Sequence, residues 1–302
     1  MSKFKSIAIK GARSAALCLF LAYAGCCVLM WFAQGHLIFR PNPGSDSDPS
    51  ERGWAFEDLR RPVLGEETQG WYVPLEGHRG VVLFSHGNGD TLSGCLGSIG
   101  LLRGFRFSVL AYDYGGYGNS TGTASEKRCN ADIRAMWDYL IREKGIAPKD
   151  ILLFGRSLGG GPTADLAKDV TPGAIILEST FLSTMDMGRD MPLYRPWLWL
   201  LRHKFSTKDK VSQFTAPLLI LHSREDEIVP YKHGLGLFER AHEPKRFVEL
   251  HGGHNDGYHL SEASYRAGWE AFLVPIFGEN PAGPDPAGEN APQDAPATLS
   301  VP

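Results

Sequence analysis

The stretch LLFGRSLGGGP, residues 152–162, places an aliphatic run directly before a serine between glycines, and a helical run follows at once. This order predicts a nucleophile elbow, a sharp strand-to-helix turn that exposes a serine hydroxyl at the end of a strand. Ser157 is therefore the candidate nucleophile. A second Gly-x-Ser-x-Gly match surrounds Ser120, but it lies several residues past its strand in a glycine-rich loop and predicts a turn.

Short β-rich runs alternate with helical patterns on both sides of this stretch. Strands are predicted at 70–75, 80–85, 107–113, 150–155, 173–179, 217–223 and 246–252, and helices at about 91–103, 124–144, 158–168, 231–243 and 260–276. From the second strand onward the runs are almost wholly apolar, as strands covered on both faces must be. The pattern predicts an α/β fold with a mostly parallel central sheet and helices on both faces. The runs at 54–75 lack a helix between them and predict an antiparallel hairpin at one edge.

Polar side chains follow two of the later strands, at the sheet edge where ligands of open α/β sheets bind. The acids after the strand at 217–223 are Glu225, Asp226 and Glu227, and the imidazoles after the strand at 246–252 are His251, His254 and His259. A serine hydroxyl is a weak nucleophile that needs a base and a third group to hold that base. The order serine, acid, histidine is that of the α/β-hydrolases rather than of trypsin or subtilisin. The residues alone leave open which acid and which imidazole are used.

Five segments together resemble the α/β-hydrolase family over roughly residues 35–277: SHGNGD, DYGGYGNS, GRSLGG, LHSREDEIVP and GGHND. The resemblance implies the α/β-hydrolase fold, and it selects Asp226 and His254 as the partners of Ser157. A short cap is predicted at about 181–213, between two strands, where the family usually inserts one. This stretch is either a helix packed on the sheet or an apolar cap that holds an acyl chain and lies near the bilayer. The sequence looks most similar to the single-pass membrane branch, which includes lysophospholipid lipases and depalmitoylating thioesterases. One departure is Ser223, where that family often has glycine.

The oxyanion hole is predicted from two backbone N–H groups. One belongs to Leu158, directly after the nucleophile, and the other to Asn88 in the HGNG loop. Such preorganised donors each stabilise the transition state by about 2.7–4 kcal/mol. His86 is expected to brace this loop rather than react. No metal or organic cofactor is expected.

The N-terminal segment predicts a membrane anchor. Residues 14–35 carry no charge, and about 20 apolar residues are needed to cross a bilayer as a helix. The basic residues before this segment are Lys3, Lys5, Lys10 and Arg13. They place the N-terminus in the cytoplasm and the chain after Gln34 on the non-cytoplasmic side. A cleaved signal peptide and a lipid-modified Cys26 are the alternatives.

Composition bounds the remaining possibilities. A net charge of -3 and a pI near 6.4 give no basic footprint for nucleic acid. None of the five cysteines stands in a Cys-x-x-Cys pair, so no zinc motif is readable. The Pro- and Ala-rich residues 279–302 predict a disordered tail. The predicted organisation is therefore an anchor at 1–34, a hydrolase domain at 35–278 and a tail at 279–302.

These observations predict a membrane-anchored serine hydrolase that cleaves carboxylic ester or thioester bonds through an acyl-enzyme. The expected substrate is a small-molecule or lipid-like acyl compound. A serine peptidase of the same fold shares this chemistry and is the nearest alternative. A catalytically inactive binding or scaffold protein is the alternative of another class. The sequence predicts no oligomeric state.

Overall fold

A computed structural model describes residues 2–280, in which a central sheet is flanked by helices and preceded by one long helix. The strands are β1 (Glu57–Val63), β2 (Glu66–Val73), β3 (Val81–Ser85), β4 (Ser108–Tyr112), β5 (Ile151–Arg156), β6 (Ala174–Glu178), β7 (Leu218–Ser223) and β8 (Lys245–Leu250). The helices are α1 (Ser2–Ile38), α2 (Leu96–Gly104), α3 (Glu126–Arg142), α4 (Gly160–Ala167), α5 (Thr184–Asp190), α6 (Lys232–Arg240), α7 (Gly257–Leu260) and α8 (Glu262–Phe277).

The sheet has the strand order β1-β2-β4-β3-β5-β6-β7-β8. The pairs β1–β2 and β2–β4 are antiparallel, and every later pair is parallel. The predicted hairpin at the edge is present, with β1 and β2 joined by a tight turn. Parallel strands end at the same side of the sheet, so the loops after β3, β5, β7 and β8 lie at one edge.

Helices cover both faces of the sheet and explain why its central strands, β3 to β7, are mostly apolar. Along β3, Val81 and Leu83 pack into the layer that contains α3, α4 and α6, while Val82 and Phe84 pack against α2 and α8. All residues of β3, β4, β6 and β7 are buried. A strand between two helix layers buries the side chains of both its faces, which produces a continuous apolar run rather than an alternating one.

Helix α1 continues to Ile38, beyond the predicted anchor limit at residue 34. Its portion Ser6–Ile38 is long and apolar enough to cross a membrane, judged by length and composition. The predicted cap region contains α5 and a 3-10 segment at Pro192–Leu200, which lies against α1. Residues 281–302 of the predicted tail lie outside the described residues.

Candidate active site

Ser157 stands in a strained turn between β5 and α4. Its φ of 51° lies in the left-handed region, which costs a residue with a Cβ about 1–3 kcal/mol. The turn depends on glycine neighbours: a Cβ at Gly159 would come within 2.0 Å of the Ser85 carbonyl oxygen, and one at Gly155 within 2.6 Å of Thr163 Oγ1. The hydroxyl of Thr180 donates to the Ser157 carbonyl at 2.7 Å. The surrounding contacts therefore hold Ser157 in this strained conformation.

The structure brings Ser157, His254 and Asp226 together from three separate loops. His254 Nε2 lies 2.9 Å from Ser157 Oγ, and His254 Nδ1 lies 2.7 Å from Asp226 Oδ2. An ionised carboxylate only accepts hydrogen bonds, so the imidazole proton belongs on Nδ1 and Nε2 is free to accept from the serine. The relay runs from acid to imidazole to hydroxyl, which is the arrangement needed to activate a serine.

Asp226 is buried and held as an ionised carboxylate. Its Oδ1 accepts from the backbone N–H groups of Ile228 at 3.0 Å and Val229 at 2.7 Å. Burial raises the pKa of Asp226, but hydrogen bonding to His254 and to the backbone outweighs burial and leaves the pKa lowered. The side chain of His222, also buried, lies 3.5 Å from Asp226 Oδ2 and hydrogen-bonds to the Val229 carbonyl.

The neighbouring acids and imidazoles have different partners. Glu225 lies on the surface with its carboxylate 3.4 Å from His251 Nδ1, and His259 is exposed on α7. Ser120, the other serine in a matching pentapeptide, is buried, accepts from Gln69 N–H and donates to the Asp113 carbonyl. Both hydrogen-bonding functions of the Ser120 hydroxyl are therefore occupied by the backbone.

Two residues support the histidine loop in ways that the sequence analysis missed. Glu227 Oε2 accepts from the backbone N–H of His254 at 3.0 Å. Ser223 donates to the Gly252 carbonyl and accepts from Glu225 N–H, so this departure from the family pattern links the acid loop to the histidine loop. The only sequence signal for either residue was its position at the carboxyl end of β7 or in the loop that follows, which does not distinguish a support from a solvent-exposed neighbour.

The HGNG loop lies against the nucleophile, where the second oxyanion donor is predicted. A Cβ at Gly87 would lie 3.7 Å from the Cβ of Ser157. The side chain of Asn88 holds the end of α1, because Nδ2 donates to the Ile38 carbonyl at 2.7 Å and Oδ1 accepts from Arg40 N–H at 2.9 Å. Tyr117 also donates to Oδ1, at 2.6 Å. Leu158 is the second residue of the short 3-10 segment Ser157–Gly159, where the first N–H groups of a helical segment lack partners within it.

His86 is buried at the base of the same loop. Its Nδ1 lies 2.8 Å from the Gly87 carbonyl and its Nε2 lies 3.3 Å from the Asp113 carboxylate, so both ring nitrogens face acceptor oxygens. Burial lowers the pKa of His86, but the Asp113 carboxylate and the Gly87 carbonyl outweigh it and raise the pKa. These contacts brace the loop from within, on the side away from solvent.

Part of this sequence is similar to known proteins. The family model described as serine aminopeptidase S33 matches residues 76–208, which include Ser157 but not Asp226 or His254. The chain is 40% identical over 182 residues to alpha/beta hydrolase domain-containing protein 17C of Xenopus tropicalis, covering 60% of this chain and 57% of that protein. It is 39% identical over 178 residues to alpha/beta hydrolase domain-containing protein 17B of Homo sapiens, covering 58% of this chain and 60% of that protein. The chain thus spans less than two thirds of the length of these relatives.

Solved structures share the fold at lower identity. A Pyrococcus furiosus esterase superposes with a TM-score of 0.64 and 18% identity, covering 80% of this chain and 100% of that chain. A Pyrococcus horikoshii acylaminoacyl peptidase superposes with a TM-score of 0.61 and 17% identity, covering 77% and 43%. Together these similarities confirm the predicted fold, a mostly parallel sheet with helices on both faces.

Proposed function

We propose that the chain is a serine hydrolase of the α/β-hydrolase family, anchored in a membrane, that cleaves carboxylic esters or thioesters. The observation that carries the proposal is the pair of contacts at His254, with Ser157 on one ring nitrogen and Asp226 on the other. The strained elbow adds support, because backbone strain of this kind persists where the surroundings hold it and clusters at active sites.

The proposed mechanism has two halves. Ser157 Oγ attacks the acyl carbonyl while His254 Nε2 takes its proton, and Asp226 stabilises the imidazolium that forms. The oxyanion accepts hydrogen bonds from the N–H groups of Leu158 and Asn88. His254 then protonates the leaving alkoxide or thiolate, which departs and leaves Ser157 acylated. Water, deprotonated by His254, cleaves the acyl-enzyme and restores the serine hydroxyl.

The first experiment measures substrate preference. We expect purified full-length protein to hydrolyse p-nitrophenyl esters, with kcat/KM rising as the acyl chain lengthens, because a lipid-like acyl group is the proposed substrate. Acyl thioesters of matched chain length test the leaving group. Equal rates for all chain lengths would contradict the lipid-like part of the proposal, and no turnover of any ester or thioester would contradict the whole of it.

A peptidase is the second candidate, favoured by the matched family model, whose description is serine aminopeptidase. The same nucleophile and base can cleave an amide, so the contacts around Ser157 do not separate the two activities. Aminoacyl p-nitroanilides, assayed beside the esters, separate them. A higher kcat/KM for an anilide than for every ester would favour the peptidase.

The proposed topology places the hydrolase domain on the non-cytoplasmic side. The supporting features are the long apolar part of α1 and the basic residues at Lys10 and Arg13 before its uncharged section. A reporter enzyme that is active only after export, fused after residue 278, is expected to be active. A fluorescent reporter that folds only in the cytoplasm, fused at the same position, should stay dark, and the opposite pair of results would reverse the topology.

A further inference from the structure

We propose that the segment at residues 191–200, the cap segment, is inserted in the lipid bilayer beside α1, at hydrocarbon depth. This inference rests on the proposed membrane anchor and adds a second lipid-embedded surface to it. The cap segment comprises Met191 and the 3-10 segment Pro192–Leu200. It is tied to α1 by hydrogen bonds over more than two turns of that helix, from Tyr23 to Gln34.

The length of α1 places the cap segment in the bilayer. Residues 14–23 are uncharged and exposed, but at 1.5 Å per residue they span only about 15 Å, half of the roughly 30 Å hydrocarbon core. Extending the span toward the N-terminus would bury the charges of Arg13 and Lys10. The span must therefore continue in the other direction, through the region where the cap segment contacts α1.

The face of α1 that contacts the cap segment lies in the part of the helix that must complete the span. Half-buried or buried positions recur at Ala24, Cys27, Met30, Gln34 and Ile38, a spacing of three or four residues that marks one face of a helix. From Tyr23 to Gln34 the helix rises about 16 Å, so the cap segment reaches roughly to the middle of the span. The opposite face of α1 remains open to lipid.

Tyr23, Trp199 and Gln34 find hydrogen-bond partners within the protein along this contact, as a lipid environment requires. The buried indole N–H of Trp197 has no hydrogen-bond partner among the described residues. Trp199 Nε1 donates to Tyr23 Oη at 3.1 Å, and Tyr23 Oη donates to the Pro196 carbonyl at 3.1 Å. Gln34 Nε2 donates to the Trp31 carbonyl, and Gln34 Oε1 accepts from Arg202 N–H at 2.8 Å. A tyrosine in the middle of an apolar span thereby has a donor and an acceptor without water.

The outer face of the cap segment is mostly apolar and exposed. Leu193 is 72% exposed and Trp199 68% exposed, although Leu198 on the inner face packs close to Gly188 of α5. One charged residue, Arg195, lies in the segment, and its Nε donates to the Arg189 carbonyl of α5 at 2.7 Å, so the protein itself supplies a partner for the guanidinium. This surface of aliphatic and indole side chains continues the lipid-facing side of α1. The bilayer is therefore the partner that fits its chemistry.

The level of the membrane surface is marked by Trp31 and Arg202. The Arg202 guanidinium lies 4.8 Å from the centre of the Trp31 ring and donates to the Trp31 carbonyl. Tryptophan and arginine are the side chains that favour the headgroup region. This pair stands at the end of the cap segment that is nearer the hydrolase domain, so the rest of the segment points into the hydrocarbon.

The test is the depth of single fluorescent labels in full-length protein reconstituted in phosphatidylcholine vesicles. In a background with Cys18, Cys26 and Cys27 replaced by alanine, cysteines are introduced as Leu193→Cys, Phe20→Cys and Leu64→Cys and labelled with a nitrobenzoxadiazole dye. Leu64 is an exposed leucine in the β1–β2 turn and is the matched control. Quenching by nitroxide-bearing lipids and by aqueous iodide is compared, with circular dichroism as the check on folding.

The label at residue 193 is expected to respond at least threefold more strongly to the lipid quencher than to iodide, like the label at residue 20 and opposite to that at residue 64. If residue 193 behaves like residue 64 while residue 20 is in lipid, the anchor stands and insertion of the cap segment is wrong. If residues 20 and 193 both respond to iodide, the proposed anchor fails and this inference fails with it.

Discussion

Replacement of Ser157 by alanine is expected to lower kcat for ester hydrolysis by about 10⁶-fold, the loss seen when a triad nucleophile is removed. The hydroxyl lies 2.9 Å from His254 Nε2, and no other serine or threonine hydroxyl contacts that nitrogen in the described part of the chain. Alanine has the same Cβ as serine and meets the same φ of 51°, so the fold should persist. Steady-state kinetics and labelling by a fluorophosphonate probe measure the loss, since only an activated serine reacts with the probe.

Ser120→Ala is the matched control, because Ser120 occupies the same pentapeptide pattern. Its hydroxyl bonds to backbone groups of Gln69 and Asp113, so its loss should lower stability while kcat stays within a few-fold of the parent. Full probe labelling of the Ser157→Ala protein would show that another residue is the nucleophile. Absence of labelling in the folded parent protein would favour the inactive binding protein.

The nucleophile elbow could be predicted because the strand before it, the serine and the helix after it each have a recognisable sequence pattern. The aliphatic run of β5, the serine and the small residues of α4 follow one another without a spacer, and packing leaves no room for a Cβ at Gly159. The strands were equally readable, since burial on both faces demands continuous apolar runs. Strand β2 begins four residues before the predicted strand at 70–75, because its first residues, such as Glu66 and Glu67, are polar and lack the apolar signal.

The order of the strands could not be read from the sequence. Strands β3 to β7 all consist mostly of apolar residues, so the hydrophobic pattern that identifies each strand gives no information about its neighbour in the sheet. The contacts of the Asn88 side chain could not be predicted from the sequence for a related reason. Its backbone was considered for the oxyanion hole, whereas its side chain binds Ile38 and Arg40, about fifty residues away in the chain. Such a link depends on how the end of α1 docks, which local patterns do not specify.

Asp226→Asn is expected to lower kcat by about 10⁴-fold while the protein remains folded, by analogy with the same change in another serine hydrolase triad. Asp226 Oδ1 accepts from the N–H groups of Ile228 and Val229, so the asparagine oxygen should keep that position. The new amide NH₂ then faces His254 Nδ1 and donates to it, which moves the imidazole proton to Nε2. An Nε2–H group cannot accept the proton of Ser157. Kinetics on a p-nitrophenyl ester measure the loss.

The pH dependence of the free energy of unfolding provides a second test of the Asp226→Asn variant. The pKa of Asp226 is lowered in the fold, so its ionised form stabilises the fold above the ordinary carboxyl pKa of about 3.9, and this contribution disappears as the pH falls through the lowered pKa. The free energy of unfolding of the parent should therefore exceed that of Asp226→Asn by more at pH 7 than at pH 3. A difference that stays constant between these values would show that the charge of Asp226 contributes nothing to the fold.

The neighbouring acids decide whether Asp226 has been assigned correctly. Glu225→Gln removes a charge from an exposed side chain beside His251, and Glu227→Gln keeps a carbonyl oxygen that can accept from His254 N–H. Each should keep kcat within about tenfold of the parent, because neither carboxylate touches the imidazole of His254, whereas His254→Ala should match Ser157→Ala since the two act as one unit. A folded Glu227→Gln protein as inactive as Asp226→Asn would transfer the role of the acid to Glu227. That outcome would require His254 to turn away from the 2.7 Å contact that holds it, and Asp226 would then be a structural carboxylate.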